Sequence, residues 1–148
     1  MLKDALLKIF ERDLNKLKAE INLYKTEEDL WIVKGEISNS AGNLCLHLLG
    51  NMNHFIGALL GETGFVRDRD LEFSAKSATR EFLTDEITKT IEVVKESLSG
   101  LSNDDFEKNF PVEKHGEIVK MDFMLLHLLT HFNYHLGQIN YHRRLVSK

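Results

Sequence analysis

The sequence has little proline, little cysteine and no excess of positive charge, and each shortage excludes a class of protein. Pro111 is the one proline in 148 residues, so most of the chain is free of the residue that interrupts helices. Cys45 is the one cysteine, which excludes an internal disulfide and is typical of a reducing compartment. The formal net charge of −4 provides no basic field for nucleic acid. We therefore expect a cytoplasmic protein that does not bind nucleic acid.

The length and the composition predict a single domain over residues 1–148. A chain of this length, with 43% hydrophobic and 28% charged residues, can bury a core without disulfides or structural metal. The first residues, MLKDALLKIFERDL, mix charged and apolar side chains and lack the apolar run and cleavage site of a signal peptide. We expect them to begin the first helix.

Two segments have the periodicity of amphipathic helices. Apolar residues recur at steps of three and four from about residue 2 to 25, with charged residues on the other face. The same pattern runs from Thr79, a good helix N-cap, to about Gly100. These segments predict two helices, each with one buried face.

Two further segments contain no Asp, Glu, Lys or Arg: residues 37–61 and 123–142. Charge-free helices are buried on most sides, and the many Asn, Gln and His side chains here would be costly in lipid, so a membrane span is not expected. The four segments predict an all-α, antiparallel four-helix bundle with the charge-free pair more deeply placed. The connection over residues 61–78 is too long for a tight hairpin and is expected to cross one end of the bundle. Residues 101–120 could form a turn or a short two-stranded ribbon near His115.

Six of the seven histidines lie in the two charge-free segments. With about 100° per residue, the four in the last helix fall within about 80° of one another and the two in the second helix within about 20°. A single core histidine is more often a packing residue that finds a hydrogen-bond partner, but neutral imidazoles in a cluster satisfy one another poorly, whereas a divalent cation accepts several of their lone pairs. The pattern predicts a metal site. The six are His47, His54, His127, His131, His135 and His142.

Helix geometry limits which histidines can share one ion. Residues four apart are neighbours on a helix face, so His127 with His131, or His131 with His135, could chelate. Residues seven or eight apart are separated by about 10–12 Å, which is too far for one ion whose ligands lie about 2 Å away. We expect one histidine from the second helix and one such pair from the last, and spacing alone leaves the choice open.

The strings GNLCLHLLGNMNHF and HFNYHLGQINYHRR resemble motifs of the DinB/YfiT superfamily of metal-dependent enzymes. The resemblance in organisation extends over essentially the whole chain. It implies a four-helix bundle and, by position, the metal ligands His47, His131 and His135. It also implies a divalent ion, most often zinc or nickel, and a homodimer. Some relatives are similar to thiol transferases that use small thiols, and many have no assigned reaction.

Three histidines leave one open position on a tetrahedral ion, as in catalytic zinc sites. The function expected is that of an enzyme in which the ion activates water or a low-molecular-weight thiol for attack on a small electrophile, as a thiol transferase or a hydrolase. The alternative is a non-catalytic, metal-binding dimeric bundle with a stress-related or structural role.

Residues near the expected ligands have weaker assignments. Gln138 and Asn51 could accept hydrogen bonds from ligand histidines, and His54 and His127 could line the site, although packing is the simpler interpretation of both. A general base or electrostatic partner could come from the crossover, since the charge-free segments contain no carboxylate; a solvated cluster is the simpler interpretation of that loop. Its charged residues are Glu62, Arg67, Asp68, Arg69, Asp70 and Glu72.

Overall fold

The computed structural model describes residues 1–148 and contains helices but no β-strand. It confirms the predicted all-α class. A short fifth helix, α3, lies within the crossover, so the bundle has four long helices and one short one. The helices are α1, Leu2–Leu23; α2, Ala41–Gly61; α3, Arg69–Ser74; α4, Arg80–Ser99; and α5, Met121–Val146.

The helix ends follow from local sequence. The Ser40 hydroxyl accepts a hydrogen bond from the backbone N–H of Asn43 at the start of α2, and Thr79 caps α4 in the same way. The predicted start and end of the 79–100 helix are therefore confirmed. In α2 the α-helical part, Ala41–Met52, continues through a π-helical turn, Asn53–Ala58, a deviation for which the apolar pattern gives no signal.

The four long helices form a ring in which each contacts two others. Helix α1 packs against α4 and α5, and α2 packs against the same two helices from the opposite side. One cluster of 29 buried apolar residues fills the centre. The interface between α2 and α5, which brings the two histidine-bearing helices together, is therefore one side of the bundle.

The predicted deep placement of both charge-free helices is correct for α2 and wrong for α5. Eleven of the 12 residues in Ala41–Met52 are buried. Only nine of the 26 in α5 are buried, compared with six of 22 in α1. Helix α5 has one buried face and one solvent-exposed face, like the amphipathic helices. Over residues 123–142 its exposed face carries uncharged side chains in place of charged ones. The large apolar residues exposed on it are Phe123, Leu126, Tyr134, Tyr141 and Leu145.

Helix α2 is long and apolar enough, by length and composition, to span a membrane, but 56% of its most apolar window is buried inside the protein. A core helix has the same properties, and the layers that cover α2 account for its composition.

The two connections differ in order. The crossover contains α3, whose first turn is capped by the Asp68 carboxylate. Between α4 and α5 the chain forms a 3₁₀ turn, Asp104–Glu107, and two isolated antiparallel bridges, Asn109 with Lys120 and Lys114 with Glu117. His115 and Gly116, both with positive φ, form the turn between Lys114 and Glu117. The ribbon expected there is reduced to these bridges.

Candidate metal centre

The structure brings three histidines together at the interface of α2 and α5. His47 comes from α2, and His131 and His135 come from successive turns of α5. One ring nitrogen from each lies within 4.8 Å of the other two. This is the set that the resemblance implies, one histidine from the second helix with an i, i+4 pair from the last.

The distance between two of the rings matches a shared tetrahedral ion. The Nε2 atoms of His47 and His131 are 3.3 Å apart. Two nitrogens bound at about 2.0–2.1 Å to a tetrahedral centre lie about 3.3–3.4 Å apart. The spacing of these two rings therefore suits a shared divalent cation.

A carboxylate fixes the orientation of His47. The Nδ1–H of His47 donates to Glu72 Oε1 at 3.0 Å, and Arg67 donates to both oxygens of the same carboxylate, at 2.8 and 2.9 Å. Arg67 Nη2 also lies 3.3 Å from His47 Nδ1, but this nitrogen already donates to Glu72 and a carboxylate can only accept. The hydrogen of His47 is therefore on Nδ1, and the Nε2 lone pair faces the other histidines.

The two histidines of α5 differ in their outer partners. The Nδ1 of His135 lies 2.7 Å from the amide oxygen of Gln138, so this nitrogen donates and Nε2 is free to bind. The Nδ1 of His131 is buried and has no hydrogen-bond partner. Two of the three rings therefore have an acceptor that orients them, and the middle one has none.

Burial keeps the rings in the form that binds metal. Burial, together with the neighbouring His135 and His47, lowers the pKa of His131 to about 4. Burial also lowers the pKa of His47, against the opposing effect of Glu72. Both rings are therefore neutral at physiological pH, with lone pairs available to a cation.

Other residues singled out in the sequence lie outside this cluster. Asn51 is buried, but its Oδ1 has no hydrogen-bond partner. His54 packs edge-on against Phe55. The ring of His127 is 6.4 Å from that of His131. The role of Asn51 as a hydrogen-bond acceptor and the roles of His54 and His127 as site-lining residues stay predictions.

Two further residues of the charge-free segments, Cys45 and His142, do not belong to the three-histidine cluster. Cys45 is fully buried in the core, and burial raises the pKa of its thiol to about 12, which makes it a poor ligand or nucleophile. His142 is also buried: its Nε2 donates to the carbonyl of Ile32 at 2.8 Å, and its Nδ1 lies 2.7 Å from the hydroxyl of Tyr24. It is a packing residue.

In the crossover, the expectation of a solvated charge cluster is wrong for two residues. Glu62, Asp68, Arg69 and Asp70 are exposed, but the side chains of Glu72 and Arg67 are only 8% and 11% exposed. The reason is their mutual pairing against His47. The ring of Phe73, which the sequence analysis did not select, also packs on His47, with ring centroids 4.8 Å apart. The sequence signal for the close approach of Glu72 is Gly50, a glycine inside a helix.

A cavity of about 610 Å³ borders the cluster through His135 and Gln138. This volume is within the range of small-molecule sites. Among its lining residues only Glu36 carries a charge. The others include Ile37, Leu44, Tyr134, Tyr141 and Leu145.

One comparison with known proteins supports the fold, and none names an activity. A family model described as "Protein of unknown function (DUF1572)" matches residues 5–148. No curated protein matches the sequence. Among solved structures, the chain is similar to the crystal structure of a conserved protein from Enterococcus faecalis, with a TM-score of 0.76 and 16% identity over 97% of this chain and 95% of the other. At this identity the similarity supports the fold alone.

Proposed function

The chain belongs to the DUF1572 family of proteins of unknown function, and we propose that it is a metal-dependent enzyme of the DinB/YfiT type, acting on a small molecule. The ligands are His47, His131 and His135. The observation that carries the proposal is the convergence of three imidazole nitrogens from two helices within 4.8 Å of one another, two of them 3.3 Å apart, which is the separation of two ligands on one tetrahedral ion.

Imidazole ligands suit zinc and nickel, and we take one of these as the resident ion. A bound divalent ion would lower the pKa of a water or thiol in its open position and so supply a nucleophile at neutral pH. The reaction proposed is attack of that nucleophile on a small electrophile, as in a thiol transferase or a hydrolase. The low pKa of the buried histidines supports this role, since protons then compete weakly with the ion.

Two observations favour an enzyme over a non-catalytic metal-binding bundle. The cluster has three ligating groups and no fourth His, Cys, Asp or Glu, which is the ligand count of a catalytic site. The cavity that borders His135 is large enough for a small substrate.

We further propose that the protein is a cytoplasmic homodimer. Its single, buried cysteine supports a reducing compartment. The exposed apolar residues of α5 that lie outside the cavity, Phe123 and Leu126, lie within about 60° of each other on the helix and support self-association. Analytical ultracentrifugation tests this, and a monomer at micromolar concentration would contradict it.

Metal analysis of protein purified without an affinity tag tests the metal centre. We expect about one zinc or nickel ion per chain in the wild type and almost none in His131→Ala/His135→Ala. The matched control, His54→Ala/His115→Ala, removes the same number of histidines outside the cluster and should retain the wild-type content. Near-zero metal in the wild type, after incubation with Zn²⁺ or Ni²⁺ and removal of the excess, would contradict the proposal.

A further inference from the structure

The side chain of Glu72 reaches His47 from a different part of the fold. It lies on α3, 25 residues along the chain from His47, and is 8% exposed. A carboxylate buried to this extent needs compensation for its lost hydration. Arg67 supplies it through two parallel N–H to oxygen bonds, the strongest geometry available to this pair.

A glycine in α2 makes room for this carboxylate. A Cβ atom at Gly50 would overlap Oε2 of Glu72. Gly50 has no positive φ, so the close approach and not the backbone conformation requires glycine here. Its position, three residues after His47, places the gap beside the ligand.

The backbone of α3 is also attached to α2. The Asn43 side-chain amide donates to the carbonyl of Glu72 at 3.0 Å and to that of Ala75 at 2.8 Å. The ring of Phe73 packs against that of His47, with the two planes tilted by 37°. The crossover thus contacts His47 through the hydrogen bond to Glu72 and through the ring of Phe73. The hydrogen bonds from Asn43 fix the main chain that carries these two residues.

We propose that Glu72, held by Arg67 and accommodated by Gly50, is the positioning residue of the metal centre: it keeps the hydrogen of His47 on Nδ1 and directs Nε2 to the ion. This inference rests on the proposed function. Glu72 bonds to the nitrogen on the far side of the ring from the ion and uses both oxygens, so it is placed to orient the ligand and not to act as a general base. A carboxylate in this position raises ligand basicity and offsets the charge of the ion.

The test is the Zn²⁺ affinity of tag-free, metal-stripped protein, measured by competition with a chromogenic chelator. We expect Glu72→Gln to bind Zn²⁺ about 10- to 100-fold more weakly, the usual effect of removing such a partner, because glutamine is uncharged and its amide NH₂ would face either the Arg67 guanidinium or the Nδ1–H of His47, donor against donor. Gly50→Ala should weaken binding in the same way, by displacing Glu72. The controls are Asp70→Asn, an exposed carboxylate on the same helix, and Gly137→Ala, where a Cβ meets nothing within 4 Å; both should stay within twofold of the wild type.

A second measurement separates positioning from general support of the fold. Long-range ¹H–¹⁵N correlation spectra report which nitrogen of each imidazole carries hydrogen, and His47→Gln identifies the signals of His47. In metal-free wild type we expect His47 as the Nδ1–H tautomer, and in metal-free Glu72→Gln a mixture. Wild type that binds no Zn²⁺ overturns both this inference and the proposed function. Wild type that binds while Glu72→Gln binds equally, or an Nε2–H His47 in the wild type, overturns this inference alone.

Discussion

The histidine stripe of α5 has two ends with opposite environments. His142, near the C-terminus, is bonded at both nitrogens to groups of the protein, Tyr24 and Ile32. His131 and His135 instead face His47, and the Nδ1 of His131 has no partner at all. Residues on one helix face, with the same chemistry, therefore have different roles. What distinguishes a ligand from a packing residue is whether the protein itself satisfies both ring nitrogens.

The largest expected difference between the two ends is in metal affinity. His135→Ala removes one of three ligands, and we expect the Zn²⁺ dissociation constant to rise on the order of a thousandfold. His142→Gln should change it by less than about threefold, since its ring is bonded elsewhere. Chelator competition measures both. A large loss in His142→Gln with an intact circular dichroism spectrum would show that the stripe acts as one unit.

The stability of the fold should show the reverse order. His142→Phe removes the buried partner of the Tyr24 hydroxyl and the donor to the part-buried carbonyl of Ile32, and we expect a loss of about 2–3 kcal/mol in the free energy of unfolding. His127→Phe, on the same helix and half-buried, should change it by less than about 0.5 kcal/mol. Urea denaturation of metal-free protein compares them. An unchanged denaturation midpoint for His142→Phe would mean that the two hydrogen bonds of His142 make no net contribution to the free energy of unfolding.

Sequence patterns predicted the parts of this molecule that depend on local periodicity. The steps of three and four in α1 and α4, the Thr79 cap and the i, i+4 spacing of His131 and His135 all concern residues within a few turns of one another. The sequence overestimated the burial of α5. The absence of charged residues makes the burial of a helix less costly, but it does not require that the helix be buried.

Long-range contacts have no such local signal. The approach of Glu72 and Arg67 to His47 depends on how the crossover folds over the end of α2, and in the sequence these residues look like the exposed charges beside them. Only Gly50 hints at the contact. The difference between His142 and the two ligands on α5 likewise depends on Tyr24 and Ile32, which are more than 100 residues away.

The pH dependence of stability should reflect the environment of His131. Burial and the neighbouring histidines lower the pKa of His131 from 6.5 to about 4. Between these pH values the unfolded chain therefore binds more protons than the folded protein. The stability that the neutral ring contributes is complete above pH 6.5 and is lost as the pH falls to about 4. We expect about 1–2 kcal/mol from this ring after allowance for partial exposure.

The comparison that isolates His131 is metal-free wild type against His131→Phe, by urea denaturation at pH 7 and pH 4.5. Carboxylates titrate in both proteins, so only the difference between them reports on His131. We expect the variant to lose less stability over this range. Equal losses would show that the protonated ring is tolerated in the cluster.

The smallest expected effect concerns the amide partner of His135. Gln138 is exposed and neutral, so its hydrogen bond to Nδ1 should contribute less than the buried carboxylate on His47, and we expect Gln138→Leu to weaken Zn²⁺ binding by about tenfold or less. Gln138→Glu keeps an acceptor at the same reach and should bind at least as tightly as the wild type, because a carboxylate is the stronger acceptor. If the leucine variant also binds Zn²⁺ like the wild type, the amide of Gln138 does not orient His135. Of the two side chains bonded to a ligand ring, Glu72 would then be the one that affects Zn²⁺ affinity.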